Sequence, residues 1–399
     1  MKPQFKSQIQ ENLYQSIQYL PKHREKNKRT QSLNLDDLLD ENRSLQSIEK
    51  QSFAWIMESY RLLIPFKNEI DAFTKKESKP ATLEDLLLLS FSALMSNKKI
   101  PQAVLCSECV EFSKKYFAKN TAPFVNAFLR SVLRKEKEIK ELLLSSAEYR
   151  FGADYLKDIS KESTEHFLKK FNEENTLHIH AINQEAELKT IQREDLLNKE
   201  VLYQALQVES YAVAQAIHEE ILKSSPVDKK LSLLDACAAP GGKAIAIGLL
   251  LKESKRDYEL ICTDMKYKRL LRLQENLKKW EAQVSAEAFL HEWGSEDCPQ
   301  LENKEVDYIF LDLPCSGFST IYTRPDVLTK VRDFEIDKSL ALQKKILEYF
   351  LNKFKSSKIF VSLCSNHRAE QEQVERLLKK FQKKVFRGNE EITLWTLDL

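Results

Sequence analysis

The sequence has no apolar run close to the roughly 20 residues that a membrane-spanning helix needs. Its polar N-terminus, Met1 to Lys6, also lacks the apolar stretch of a signal peptide. We therefore expect a cytoplasmic protein without membrane contacts. The seven cysteines have no framework spacing, which indicates reduced thiols rather than disulfides. A net charge of +2 is too small to indicate a nucleic-acid partner by itself.

Two glycine loops that hold nucleotides are absent as well. A Walker-type phosphate loop needs Gly at position 237 and Ser or Thr at position 244, where the chain has Cys237 and Ala244. The dinucleotide spacing GxGxxG is missing too, so a nucleoside triphosphate is a poor candidate ligand. Cys106 and Cys109 have CxxC spacing, but no second ligand pair follows them. We expect them to be packing residues, and we expect no metal.

The 399 residues are enough for two or three hydrophobic cores. Residues 1–45 have little periodicity, which predicts a poorly packed lead-in. They include a basic arm, which suits either an RNA contact or a solvated tail. Residues 46–136 have helical periodicity and predict a small all-helical domain. Residues 137–205 are charged and mixed, with an extended stretch at 177–182, and predict a small connecting α+β subdomain.

Residues 206–399 alternate short β-rich runs with helical patterns, which predicts an α/β domain with a mostly parallel sheet between two layers of helices. The predicted strands are Leu231 to Asp235, Tyr258 to Thr263, Val306 to Leu311 and Lys358 to Leu363. Ligands of such sheets bind at the carboxyl ends of the strands. The residues that follow each run are therefore the candidates for a site.

The first predicted strand ends in a run of small residues, which lets the backbone pass close to a ligand before a helix begins at Lys243. The candidate ligand-binding residues of this run are Cys237, Ala238, Ala239, Pro240, Gly241, Gly242 and Lys243. Asp264 ends the second strand about 20 residues later, where an acidic group meets ribose hydroxyls in nucleotide-binding folds. Asp264 could also simply cap the next helix. With the small-residue turn upstream, it favours a nucleoside cofactor.

Two cysteines follow later strands. Cys315 lies in the run Asp312-Leu313-Pro314-Cys315-Ser316-Gly317, and Cys364 follows Leu363. A single cysteine after a strand is more often a small buried side chain than a nucleophile. Two cysteines at the edge that also carries the glycine turn and Asp264 favour a reactive pair.

These motifs, in this order, resemble the RNA cytosine-5 methyltransferases, in the bacterial Sun/Fmu branch. The similar segments also include Arg269 and Asn276, Arg324-Pro325-Asp326, and Glu370 after Cys364. The helical segment from Val104 to Arg134 resembles the NusB-type RNA-binding domain of that branch. The resemblance implies a Rossmann-like class I domain that binds S-adenosyl-L-methionine and forms 5-methylcytosine in RNA, most plausibly 16S rRNA.

The resemblance also implies roles. Cys364 would attack carbon 6 of the cytosine, Cys315 would help to remove the proton on carbon 5, and Asp312 would hydrogen-bond the base and contact the cofactor. Arg269 would lie in the cofactor site with Asp264. Lys243, Arg324 or His367 could assist the thiolate, although His367 could equally lie on a solvated turn. We expect a monomer.

Three positions depart from the family pattern. Leu363 replaces the usual Thr before the nucleophile, and His180 to Asn183 replaces an Arg-x-Asn signature. The run Phe289 to Trp293 lacks the usual acid near the adenine, unless His291 or Glu292 takes its place. Two alternatives stay open. The chain could methylate tRNA, or it could be a non-catalytic RNA-binding assembly or antitermination factor whose methyltransferase domain only binds the cofactor.

Overall fold

The computed structural model describes residues 7–17, 50–75, 80–96, 100–173, 179–191, 203–295, 297–302, 304–321, 325, 327–330, 333–381, 383–388 and 392–398. The basic arm at 22–29, Leu177, His178, Arg324 and Asp326 lie outside these residues. Contacts divide the chain into two compact units, residues 1–157 with 321–331 and residues 158–320 with 332–399. Within the described ranges, every helix is too short or too polar to cross a membrane.

The described part of the first unit is helical. Its helices are α1 (residues 8–17), α2 (Lys50–Arg61), α3 (Leu63–Thr74), α4 (Ala81–Ser96), α5 (Gln102–Tyr116), α6 (Thr121–Arg134), α7 (Glu136–Ser145), α8 (Ala147–Phe151), α9 (Ala153–Leu156) and α14 (Val327–Lys330). The predicted apolar stripe on α5 is confirmed, because Leu105, Cys109 and Phe112 are buried. Cys109 is a packing residue whose sulfur accepts a hydrogen bond from Ser90 Oγ at 3.2 Å.

The expectation of a poorly packed lead-in was wrong for helix α1. Ile9, Leu13 and Ile17 recur every four residues, so they form one apolar face that packs into the helical core. Leu13 is fully buried. On the polar side, Ser7 Oγ and Gln10 Nε2 each donate a hydrogen bond of 2.8 Å to Glu108 Oε2 on α5. A stripe of only three apolar residues is easily overlooked in a polar segment.

The second unit contains two sheets. Strands β1 (Ile179–Ile182), β2 (Leu188–Ile191) and β3 (Gln204–Ala205) form a small antiparallel sheet in the order β2-β1-β3. The large sheet has the order β6-β5-β4-β7-β8-β10-β9. Its strands are β4 (Leu231–Asp235), β5 (Tyr258–Asp264), β6 (Ala286–Leu290), β7 (Tyr308–Asp312), β8 (Lys358–Leu363), β9 (Lys383–Gly388) and β10 (Ile392–Asp398). Strands β6, β5, β4, β7 and β8 are mutually parallel, and β10 and β9 continue the sheet in antiparallel pairings.

Helices connect and cover the strands of the second unit. They are α10 (Lys161–Glu173), α11 (Val208–Ser224), α12 (Gly242–Glu253), α13 (Tyr267–Lys279), α15 (Asp333–Lys353) and α16 (Arg368–Leu377), with short 3-10 turns at Pro299–Leu301 and Phe318–Thr320. Successive residues of a strand pack into the two hydrophobic cores on opposite faces of the sheet. Leu233 packs with α11 and α12, whereas Leu234 packs with α15 and α16. The strands are buried on both faces, as the apolar runs predicted.

The predicted fold class is therefore confirmed, namely a helical domain followed by a Rossmann-like domain with a mostly parallel sheet. The predicted strand at Lys358 to Leu363 matches β8, and Leu231 to Asp235 matches β4. Strand β7 begins at Tyr308, two residues later than predicted, and ends at Asp312. Because β4, β5, β7 and β8 are parallel neighbours, the residues after them meet at one edge of the sheet.

Candidate active site

The turn after β4 is held in one conformation by its own backbone. Ala239 and Pro240 are joined by a cis peptide bond, and Gly241 has φ +103°. Gly241 N donates to Ala238 O at 2.7 Å, and Ala238 N donates to Thr263 O of β5 at 2.9 Å. Helix α12 begins at Gly242, next to the predicted Lys243, so its free N–H groups face this turn.

The side chains of α13 fix the outer side of the same turn. Arg269 donates a hydrogen bond to Ala239 O, and Asn276 Nδ2 donates to Pro240 O at 2.8 Å. Asp264 is buried, and its Oδ1 accepts from Lys266 N at 2.9 Å. Arg269 Nη2 lies 3.4 Å from Asp264 Oδ2. The structure thus brings Asp264 and Arg269 to the turn, with Arg269 supporting its backbone.

An ion pair lies between the turn and β7. Lys243 Nζ donates to Asp312 Oδ2 at 2.7 Å, and Ser362 Oγ on β8 donates to Asp312 Oδ1 at 2.6 Å. Burial by itself would lower the pKa of Lys243, but the charges of Asp312 and Cys364 outweigh it and raise that pKa. Lys243 is therefore a firm cation at the centre of the site, and Ser362 is a contact that the sequence did not single out.

Three carboxyl groups share this edge. Burial, together with the charges of Asp312 and Asp264, raises the pKa of Asp235 from 3.8 to about 7, against the opposing effects of Lys243 and the hydrogen bond from Cys237 N. Burial, reinforced by the same acids, also raises the pKa of Cys237 well above its ordinary value. The electrostatic environment is therefore acidic, with Lys243 as a local counter-charge.

Cys315 and Cys364 meet beside the ion pair, with their sulfur atoms 3.1 Å apart. The hydrogen bond from Cys315 lowers the pKa of Cys364, and Lys243 adds to that effect, while burial opposes both. The same hydrogen bond, together with burial, raises the pKa of Cys315 well above its ordinary value. The arrangement favours a Cys364 thiolate that accepts a hydrogen bond from a Cys315 thiol.

The residues that directly follow the two cysteines share one buried carboxylate. Glu370 on α16 is fully buried and accepts hydrogen bonds from Ser316 N at 3.0 Å, Ser316 Oγ at 2.5 Å and Ser365 Oγ at 2.5 Å. Gln343 Nε2 on α15 donates to Glu370 at 2.8 Å and to Pro314 O at 3.1 Å. Glu370 was singled out in the sequence only by resemblance, and Gln343 was not singled out at all.

Other predicted residues lie elsewhere. His367 is buried rather than on a solvated turn: it caps α16 by accepting from Ala369 N at 3.2 Å, and it packs against the Phe318 ring. Glu292 Oε1 accepts from Lys345 Nζ at 2.9 Å on an exposed surface. Trp293 is buried and donates its ring N–H to Thr263 Oγ1 at 2.8 Å, which makes it a core residue.

A cavity of about 200 Å³ borders the Cys364 loop. Ser365 and Asn366 line it together with residues of α10, α16 and the last two strands, which are Ser160, Ser163, Arg368, Gln371, Glu372, Arg387, Ile392 and Thr393. Arg368 and Arg387 are both exposed. Paired guanidinium groups are well suited to phosphate, so this cavity is a candidate contact for a nucleic-acid backbone.

Two parts of the chain match models of known protein families. Residues 221–391 match the family model described as 16S rRNA methyltransferase RsmB/F, and residues 10–134 match the NusB family. Residues 221–391, which contain the central strands of the large sheet, are thus similar to the RsmB/F methyltransferases. The resemblance to the Sun/Fmu branch with its NusB-like N-terminal domain is thereby confirmed.

The chain is 34% identical over 152 residues to the ribosomal RNA small subunit methyltransferase B of Serratia proteamaculans, covering 37% of this chain and 33% of that protein. It is 32% identical over 149 residues to the protein of the same name from Photorhabdus laumondii, covering 37% and 32%. The matched segment thus spans about a third of these relatives. The crystal structure of PH0851 shares the fold, with a TM-score of 0.62 at 14% identity over 87% of this chain and 88% of that one.

Proposed function

We propose that this chain is an S-adenosyl-L-methionine-dependent methyltransferase that forms 5-methylcytosine in RNA, with Cys364 as the nucleophile. The observation that carries the proposal is the pair of thiols 3.1 Å apart, next to the Lys243–Asp312 ion pair and at the sheet edge that carries the glycine turn. A cytosine ring needs a nucleophile at carbon 6 and a base for the proton at carbon 5. Two thiols of opposite pKa shift supply both.

The residues present fit a nucleoside cofactor that carries a positive charge. Asp264 offers a buried carboxylate for ribose hydroxyls. Asp264 and Asp312 are close enough to Asp235 for their charges to raise its pKa. The three acids make this edge of the sheet suitable for a sulfonium cation. S-adenosyl-L-methionine would supply an electrophilic methyl group there. The residues that would hold it are Cys237 to Lys243, Asp264, Arg269 and Asp312.

The side chains divide the chemistry among them. The Cys364 thiolate adds to carbon 6 of the cytosine, which raises the electron density at carbon 5. Asp312, fixed by Ser362 and Lys243, accepts a hydrogen bond from the exocyclic amine of the base. Bonding of Cys364 to carbon 6 ends the hydrogen bond and removes the charge that raise the pKa of Cys315, so Cys315 releases its thiol proton to solvent and, as a thiolate, takes the proton from carbon 5 after methylation. Loss of Cys364 from carbon 6 then restores the aromatic ring.

The proposed substrate is a cytosine in a single-stranded or bulged part of 16S rRNA. A base inside a duplex cannot present carbon 6 to Cys364, so the nucleotide must leave the stack. The matched relatives are named as small-subunit ribosomal RNA methyltransferases, which favours 16S rRNA over tRNA. The adjacent match to the NusB family supports an RNA-binding role for the helical unit. We further propose that the protein acts in the cytoplasm as a monomer.

Incubation with S-adenosyl-L-methionine labelled in its methyl group and with unmodified 16S rRNA tests the proposal. The wild type is expected to label cytosine at carbon 5, and Cys364→Ala is expected to lose activity by at least about 10⁴-fold because the nucleophile is gone. Cys315→Ala is expected to accumulate a covalent protein–RNA adduct, since addition proceeds while elimination stalls.

Cys298→Ala is the matched control, because Cys298 is a buried cysteine of the same unit outside the thiol pair. Its activity should equal that of the wild type. Absence of methyl transfer to 16S rRNA would refute that substrate, and transfer to tRNA instead would support the alternative target. An active Cys364→Ala variant would overturn the assignment of the nucleophile.

A further inference from the structure

Glu370 is a buried carboxylate for which the chemistry above has no direct use. It lies in the first turn of α16, is fully buried, and receives its hydrogen bonds from two different loops. Ser316 follows Cys315 on the loop after β7, and Ser365 follows Cys364 on the loop after β8. One side chain therefore connects the two residues that adjoin the reactive thiols.

Both carboxylate oxygens of Glu370 accept hydrogen bonds. Ser316 Oγ and Ser365 Oγ lie 3.0 Å apart and both bond Glu370 Oε2, while Ser316 N and Gln343 Nε2 bond Oε1. Gln343 in turn accepts from Gln373 Nε2 at 3.3 Å and donates to Pro314 O. A buried carboxylate is costly unless its hydrogen bonds are satisfied, and here four donors satisfy it. Such a network is rigid, and it allows the loops only one relative position.

We infer that Glu370 is a positioning residue, which ties the loops of Cys315 and Cys364 together and thereby sets the distance between the two thiols. This inference rests on the proposed function for its catalytic meaning, although its structural part stands alone. Each cysteine directly precedes one of the two serines, so a shift of Ser316 or Ser365 also moves the neighbouring sulfur. A misplacement of about 1 Å at reacting groups can cost on the order of 100-fold in rate.

Two substitutions at Glu370 separate hydrogen bonding from charge. Glu370→Gln keeps an acceptor for Ser316 N and Gln343 Nε2, and its amide group can donate to the two hydroxyls, which are able to accept. Glu370→Ala removes all four bonds. We expect Glu370→Ala to lower kcat about 100-fold with the KM for RNA within about threefold. Glu370→Gln should stay within about tenfold of the wild type.

Glu375→Ala is the matched control on the same helix. Its carboxylate accepts from Trp395 Nε1 at 2.7 Å and Lys383 Nζ at 2.6 Å, neither of which is on a cysteine loop. We expect this variant to have a lower Tm than the wild type and an unchanged kcat. If Glu370→Ala does not fold, the double variant Ser316→Ala and Ser365→Ala removes the tie with smaller changes and carries the same expectation.

The second readout is the pH dependence of Cys364 alkylation by iodoacetamide, followed by peptide mass spectrometry without any RNA. The wild-type midpoint should lie below that of an ordinary cysteine, and Glu370→Ala should move it upward because the Cys315 hydrogen bond is lost. If the wild type has no methyltransferase activity, the proposed function fails while this readout still tests the tie. An unchanged alkylation profile in Glu370→Ala, or an equal loss of kcat in Glu370→Gln and Glu370→Ala, would overturn the inference.

Discussion

Asp235 is a buried residue whose protonation state is sensitive to pH in the physiological range. Burial and two neighbouring acids raise its pKa to about 7, whereas the unfolded chain titrates it near 3.8. The folded protein therefore binds this proton more tightly than the unfolded chain does. Its contribution to stability is fully present below about pH 4 and is lost progressively as the pH rises to about 7.

Asp235→Asn should therefore stabilise the protein, and more at pH 8 than at pH 5. The amide oxygen can still accept from Cys237 N, while the buried charge is gone. A shift of about 3 pKa units corresponds to at most about 4 kcal/mol at pH 8. Thermal unfolding at both pH values measures the effect. The exposed Asp228→Asn should leave Tm unchanged, and a pH-independent gain for Asp235→Asn would contradict the assignment.

At the scale of elements, the glycine turn after β4 is the most constrained segment of the site. Gly241 has φ +103°, and a Cβ at this position would lie 2.8 Å from Leu273 Cδ1 on α13. The backbone conformation strains any residue with a side chain, and Leu273 would have to shift to make room for it. The turn thus depends on α13 as much as on its own sequence.

Gly241→Ala is expected to lower the free energy of unfolding by about 1–3 kcal/mol and to weaken S-adenosyl-L-methionine binding roughly tenfold. Calorimetry of unfolding and of cofactor titration measures the two effects. Gly294→Ala is the matched control, because Gly294 has φ +83° and a Cβ there would lie 2.7 Å from Lys345 Cγ. It should lose stability and keep its affinity. Equal affinity loss in both variants would mean that general strain, not the turn, controls binding.

The central strands could be predicted from sequence because parallel strands buried on both faces are continuous apolar runs. Asp312, Cys315 and Cys364 followed from the same logic, since the carboxyl ends of parallel strands converge. The contacts of Glu370, Ser362 and Gln343 could not be predicted from the residues themselves, because they depend on how α15 and α16 pack against the loops. His367 was misplaced for the same reason: its capping contact requires knowing where α16 begins.

At the scale of the whole molecule, the net charge of +2 hides local groups that can hold RNA. The cavity beside the Cys364 loop is lined by Arg368 and Arg387, which lie on α16 and β9. The two arginines belong to different elements and line the same cavity only in the folded chain. Overall charge is therefore a poor guide to this contact.

Removing these guanidinium groups should weaken RNA binding in a salt-dependent way. We expect Arg368→Ala and Arg387→Ala each to reduce the slope of log affinity against log salt by about 1, with kcat nearly unchanged. Binding titrations at several salt concentrations measure the slope. Arg376→Ala, an exposed arginine on α16 that does not line the cavity, should keep the wild-type slope. Slopes that do not differ among the three variants would rule out a phosphate contact in the cavity.

The 3.1 Å separation of the two thiols has a consequence for the life of the enzyme in the cell. Sulfur atoms that close need to approach by only about 1 Å to form a disulfide, and a thiolate beside a thiol is the reactive combination for peroxide. A single two-electron oxidation would remove nucleophile and base together, and a dithiol reductant would return both. We therefore expect RNA methylation by this chain to stop under oxidative stress and to resume when the thiol pool recovers.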